Sequence, residues 1–188
     1  SAWHPAERVL ASAYDTPTVG WRAQWVNTLR LWSAKPMVLF DLASFNRGDF
    51  IGASAPEALA RTISRVLYPD DTTEIGKELR LKQEYFFTAA SVQDILRRFQ
   101  SEGHAIETLA DQVAIQLNDT HPAIAGPELV RLLADVHGLE MARAIAIARD
   151  CLAYTNHTLL PEALERWDIA LFARILPRHL QIIEEIEA

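Results

Sequence analysis

The chain has 188 residues, 49% of them apolar and 23% charged, enough for one domain of ordinary size with a sizeable core. A formal net charge of -7 argues against binding along a phosphate backbone, which needs clustered Lys and Arg, and so against nucleic acid as a partner. The single cysteine, Cys151, excludes an intrachain disulfide and favours a reducing compartment; inside an apolar helical pattern it reads as a small buried hydrophobe. The stretch Ser1–Arg8 lacks a basic region followed by an apolar one, so no signal peptide is expected. No run approaches the roughly 20 apolar residues that span a bilayer, and a cytoplasmic chain without membrane contact is expected.

In chain order, Leu29, Leu31 and Ser33 alternate with Thr28, Arg30 and Trp32, which predicts a strand. Phe40–Gly52 reads as a loop with a short helical turn. Ser54-Ala-Pro-Glu57 fits a capping box, with Ser54 as N-cap and Glu57 at N3, opening a helix that runs to about Leu67 and stops before Tyr68-Pro69. Asp70–Gly76 is an acidic, polar loop. A long helix follows from about Lys77 to Gln100, with Leu79, Phe86, Ala90, Ile95 and Phe99 near helical spacing. Val113–Leu117 is predicted as a short buried strand. Glu128–His137 is a helix closed by Gly138, and Glu140–Ala153 an alanine-rich helix. Trp167-Asp168 opens a last helix, interrupted at Pro177. The sum is a helix-rich α/β chain.

Two blocks are too irregular for core packing: Gln116-Leu-Asn-Asp-Thr-His-Pro122 and Tyr154–Trp167. Each follows an apolar run, and polar groups at the end of a buried element are where open α/β proteins build ligand sites. Asn118, Asp119, Thr120 and His121 supply four successive hydrogen-bonding side chains; a turn needs one or two, which leaves a turn and a ligand site both open. Asp119-x-His121 has a metal-like spacing, but no third ligand is identifiable, and no metal is expected. In the second block, Asn156, His157 and Thr158 suit hydroxyl recognition, and no Ser, Lys or activated Cys stands nearby as a nucleophile. Glu162 and Glu165, three apart, would share one face of a helix. Among the cations of the long helix, Lys77, Arg80, Lys82, Arg97 and Arg98, a solvent face accounts for most. Arg97-Arg98 suit either an anion or the helix dipole. His4, His104, His137 and His179 have no patterned partners and read as surface or packing residues.

These residues carry a resemblance. Tyr14-Asp-Thr-Pro17, Asn27–Lys35, Ile63–Asp71, Gly76–Tyr85, Gln116–Pro122, Tyr154–Trp167 and Leu176–Ile183 span nearly the whole chain and are similar to the α-glucan phosphorylases (glycogen, starch and maltodextrin phosphorylase), most of all the bacterial glycogen phosphorylases. The resemblance implies part of the N-terminal domain of a two-domain GT-B glycosyltransferase. It implies phosphorolysis of terminal α-1,4-linked glucose to glucose 1-phosphate, assisted by the phosphate of pyridoxal 5′-phosphate. By the same resemblance His157 contacts glucose at the catalytic subsite, with Asn156 and Thr158 beside it. Asp119, His121 and Glu165 line the glucan cleft. The loop Asp70–Gly76, with Asp71 and Thr72 toward substrate, gates the cleft, and Arg80 supports the gate. Arg97 and Arg98 match an arginine pair that binds an effector phosphate in regulated members, whereas Thr73 and Glu74 stand where purine-responsive members carry aromatics.

The cofactor lysine and the groups that hold substrate phosphate fall outside this sequence, which therefore reads as an internal fragment, 1–188, of the N-terminal domain without the C-terminal cofactor-binding domain. The fragment is expected to be inactive alone, and the full enzyme to be a homodimer acting on glucan and phosphate. The rival expectation is a non-catalytic glucan-binding or assembly module.

Overall fold

The computed structural model describes residues 3–37, 40–161 and 164–188. The chain forms two compact units: Pro5–Asp70, and Ser1–His4 together with Asp71–Ala188.

The Pro5–Asp70 unit is a hairpin backed by helices. Strands β1 (Val9–Val19) and β2 (Val26–Pro36) pair antiparallel, from Val9 opposite Pro36 to Val19 opposite Val26. The alternation around Leu29–Ser33 is thus a strand, and its partner β1 went unread in the sequence. Asp15 stands opposite Arg30 and takes a bidentate ion pair, 2.7 Å to Nε and 2.6 Å to Nη2. Helix α1 (Leu42–Asn46) is short, and α2 (Phe50–Arg65) packs on the hairpin, where the N–H of buried Ala34 donates to Ser64 Oγ at 2.9 Å.

Helix α2 begins five residues before the predicted helical start. Asp49, not Ser54, is the cap: its carboxylate accepts the Gly52 N–H at 2.8 Å. Glu57 instead pairs with Arg61 at 2.8 Å, one turn on, and Pro56 lies inside the helix.

The other unit is organised by α3 (Glu74–Ser101), whose N-terminus also precedes the predicted one, because Thr73 Oγ1 accepts the Gly76 N–H at 3.1 Å. Leu81, Phe86, Val92, Leu96 and Phe99 are buried, but so are the polar Arg80, Gln83, Glu84 and Asp94. The solvent-face reading therefore fails for Arg80, which is 5% exposed.

A 3₁₀ turn (Ile106–Thr108) and α4 (Leu109–Gln112) lead into β3 (Ile115–Asn118). Helix α5 (Ala125–Arg131) runs into a π-helical turn, Leu132–Val136, and Gly138 follows with φ +75°. Helix α6 (Met141–Cys151) stops two residues short of the predicted end. Leu152–Thr155 leaves the helix to become β4, which pairs parallel with β3 from Ile115–Leu152 to Asn118–Thr155. Strand β3 is correspondingly half-buried, not buried: Gln116 and Asn118 are exposed.

Helix α7 (Ile169–Ile175) is capped by Asp168, which accepts the N–H groups of Ala170 and Leu171. Helix α8 (Pro177–Glu187) starts with Pro177 in its first turn, so the proline separates two helices as expected. The main core joins Val92, Leu96 and Phe99 of α3 to Leu129, Leu133, Ile147, Cys151 and Ile182. Cys151 is a buried packing group. Among the described residues no helix is long and apolar enough to cross a membrane.

Candidate functional site

The parallel pairing of β3 and β4 sets two chain reversals side by side at the strands' C-terminal ends, the position at which parallel sheets collect ligand-binding loops. Both irregular blocks seen in the sequence meet here. Asp119 follows β3 with φ +60°, a left-handed conformation that Asp tolerates better than most residues. Its N–H donates to the Thr155 carbonyl at 2.8 Å, extending the pairing by one bond. Its Oδ1 accepts the His157 backbone N–H at 2.7 Å and lies 3.2 Å from the ring Nδ1. The His157 N–H first, and the neighbouring His157 and His121 rings after it, hold the Asp119 carboxyl below its usual value. An ionised carboxylate only accepts, so Asp119 favours a proton on the Nδ1 side of the His157 ring and turns Nε2 away from itself.

Asn156 shapes the same turn: its Nδ2 donates to the Thr158 carbonyl at 2.6 Å and its Oδ1 accepts the Thr158 N–H at 3.4 Å. Thr158 Oγ1 accepts the Leu160 N–H at 3.1 Å. Gln116, not singled out in the sequence, ties the strands from the side, its Nε2 donating to Thr155 Oγ1 at 2.7 Å. The His157 side chain is 58% exposed, open to a ligand.

His121 turns to a second cluster built on α3. Arg80 Nη2 lies 2.7 Å from Glu84 Oε1, 3.3 Å from Glu165 Oε1 and 3.5 Å from His121 Nδ1; His121 Nδ1 is also 3.3 Å from Glu165 Oε1. Burial, then the neighbouring Glu165, push Glu84 up to about 9. Burial pushes Glu165 up as well, but the Glu84 hydrogen bond and His121 outweigh it and hold Glu165 below its usual value. The two carboxyls therefore titrate as a unit, with the deeper Glu84 the one driven toward its protonated form.

Glu84, His121 and Glu165 offer ligand atoms within 4.8 Å of one another, whereas Asp119, the other half of the Asp119-x-His121 spacing, turns to His157 instead. The guanidinium of Arg80 stands against all three and supplies the positive charge there.

Glu165 lies on non-helical backbone, so the shared helix face expected of Glu162 and Glu165 does not form; Glu162 itself is outside the described residues. Asp71 and Thr72 sit on exposed backbone ahead of the Thr73 cap. Arg97 and Arg98 both grip Asp94, at 2.6 and 3.0 Å, with their side chains largely exposed. No local pattern in the sequence marks the buried network Glu128–Arg131–His179. Arg131 donates to Glu128 through Nε and Nη2 at 2.7 and 2.9 Å, and His179 Nε2 is 2.7 Å from Glu128 Oε2. Trp3 and Tyr85 pack edge-on against the His179 ring.

Comparison with known proteins points one way. The carbohydrate phosphorylase family model matches residues 1–188. The brain form of glycogen phosphorylase from Rattus norvegicus is 53% identical over 98% of this chain, and the liver form from Homo sapiens 52% over the same share. The liver form from Bos taurus is 53% identical. The chain spans 23% of the length of these relatives. All three are mammalian, so the bacterial type stands on the sequence resemblance alone.

Proposed function

The chain belongs to the carbohydrate phosphorylase family, and from that premise we propose that it builds one wall of the glucan site in an enzyme that phosphorolyses terminal α-1,4-glucosidic bonds to glucose 1-phosphate. The observation that carries this reading is the junction at the ends of β3 and β4, where Asp119 holds the exposed His157. Such a group suits a sugar hydroxyl, which both donates and accepts and needs a positioned hydrogen-bonding partner, not a nucleophile. Asn156 and Thr158 fix the turn that presents His157. His121 and Glu165 line the adjoining wall, where Arg80 ties them to α3. Asp71 and Thr72 then belong to a gate that precedes the Thr73 cap of α3. Arg97 and Arg98 would take an effector anion only in competition with Asp94.

The residues present do not fit pyridoxal 5′-phosphate. Of the three lysines, Lys77 pairs with Glu74, Lys82 with Glu78, and Lys35 lies over the Tyr14 ring. The cofactor and the bound phosphate are assigned to the remainder of the longer protein; the full enzyme is a homodimer, and the cytoplasm is its place of action.

Replacing His157 by Ala in the full-length enzyme tests the reading. Loss of one positioned hydrogen-bonding group predicts a fall in kcat/KM for maltodextrin of about tenfold to a hundredfold. Unchanged kinetics would remove His157 from the sugar site.

A further inference from the structure

We propose that Asp119 is a positioning residue that acts on bound sugar through His157, rather than a glucan contact of its own. The inference rests on the reading of His157 as the sugar contact. Three contacts support it: Asp119 N–H to the Thr155 carbonyl at 2.8 Å, Oδ1 to the His157 N–H at 2.7 Å, and Oδ1 to the His157 ring nitrogen at 3.2 Å. Together they join residue 119 to both sides of the peptide that leaves β4, so the first turn beyond the strand is fixed in backbone and in ring orientation. Both side-chain contacts use Oδ1, so this oxygen is committed to His157.

The backbone conformation points the same way. At φ +60° the residue stands where the chain reverses after β3, and this reversal brings the carboxylate back across the strand ends to His157. A side chain meant to reach into open solvent toward a ligand has no need of that return. Gln116 adds an independent tie, holding the Thr155 hydroxyl at 2.7 Å one residue before Asn156. The functional load thus falls on an acceptor at one atom, not on the negative charge.

Asp119→Asn keeps an acceptor oxygen and a residue that tolerates positive φ, whereas Asp119→Gly keeps the backbone conformation and loses the acceptor. In the full-length enzyme, kcat and KM for maltodextrin phosphorolysis are measured for both variants and for His157→Ala, with thermal unfolding as a control. Asp119→Gly is expected to lose about tenfold to a hundredfold in kcat/KM, mostly through kcat, with its unfolding temperature little changed. Asp119→Asn is expected to restore most of that loss.

If Asn loses as much as Gly, the charge meets the substrate directly and the proposal is overturned. Full activity in Asp119→Gly overturns it as well. Should Asp119→Gly fail to fold, Asp119→Asn still decides, because its loss of activity contradicts an acceptor-only role. An unaffected His157→Ala would instead sink the underlying reading of the sugar contact, a result separable from any defect at position 119.

Discussion

Glu84 and Glu165 compete for one guanidinium, and the outcome sets how this region responds to pH. Glu84 has a folded pKa raised to about 9 against an ordinary value of 4.5. Between those values the native chain holds a proton that the unfolded chain has released, so its contribution to stability declines as pH rises through that window. Glu165, held low, acts oppositely: its contribution is present above its ordinary value and is lost as pH falls through the folded one. Glu84→Gln mimics the protonated carboxyl. It is expected to stabilise the protein by about 3 kcal/mol near pH 7, with the gain growing toward pH 9 and vanishing below about pH 4.5. Thermal unfolding across that range checks it; a gain independent of pH would show that the proton is not held at Glu84. The pairing of Arg80 with Glu84 was legible in principle, since residues four apart share a helix face. His121 and Glu165, which complete the cluster, come from distant segments that no local spacing connects. The same holds for His179, a packing residue as expected but one whose buried carboxylate partner, Glu128, lies 51 residues away.

At the scale of elements, the ends are where local reading failed, each for an identifiable reason. The sequence reading placed the cap of α2 at Ser54, and the chain uses Asp49. Asp49→Ala is therefore expected to cost about 1 kcal/mol in denaturant unfolding, and Ser54→Ala, at an exposed position, less than about 0.5 kcal/mol. Equal costs would mean that the helix starts where the capping box suggested. Helix α6 ran too far in the sequence reading because Leu152-Ala-Tyr154 carries no breaker. What ends the helix is pairing with β3, a tertiary interaction absent from the local pattern. Strand β1 escaped notice because the apolar residues Val9, Leu10, Ala11, Ala13 and Tyr14 do not alternate and Pro17 follows them, yet β2 supplies a full register of partners. The division at Pro177 and the closure at Gly138 were readable because each depends on the residue's own backbone geometry.

At the scale of the whole molecule, the chain leaves one compact unit after His4, builds the hairpin unit and returns at Asp71. The candidate site lies wholly in the unit to which it returns. Its two polar blocks were visible in the sequence as excess hydrogen-bonding groups, but their meeting was not, because the first half of the strand that joins them, Leu152 and Ala153, was taken for helix and its second half for irregular chain. Family membership covers the full 188 residues, and these amount to 23% of the relatives' length. Positioning groups without the cofactor and phosphate side of a cleft do not assemble a transition state. The most direct test is the release of glucose 1-phosphate from maltodextrin and phosphate, with pyridoxal 5′-phosphate supplied, by the full-length protein and by the purified 188-residue chain. The account predicts product from the full-length protein and none from the chain alone. Product from the isolated chain, or none from the full-length protein, would contradict it.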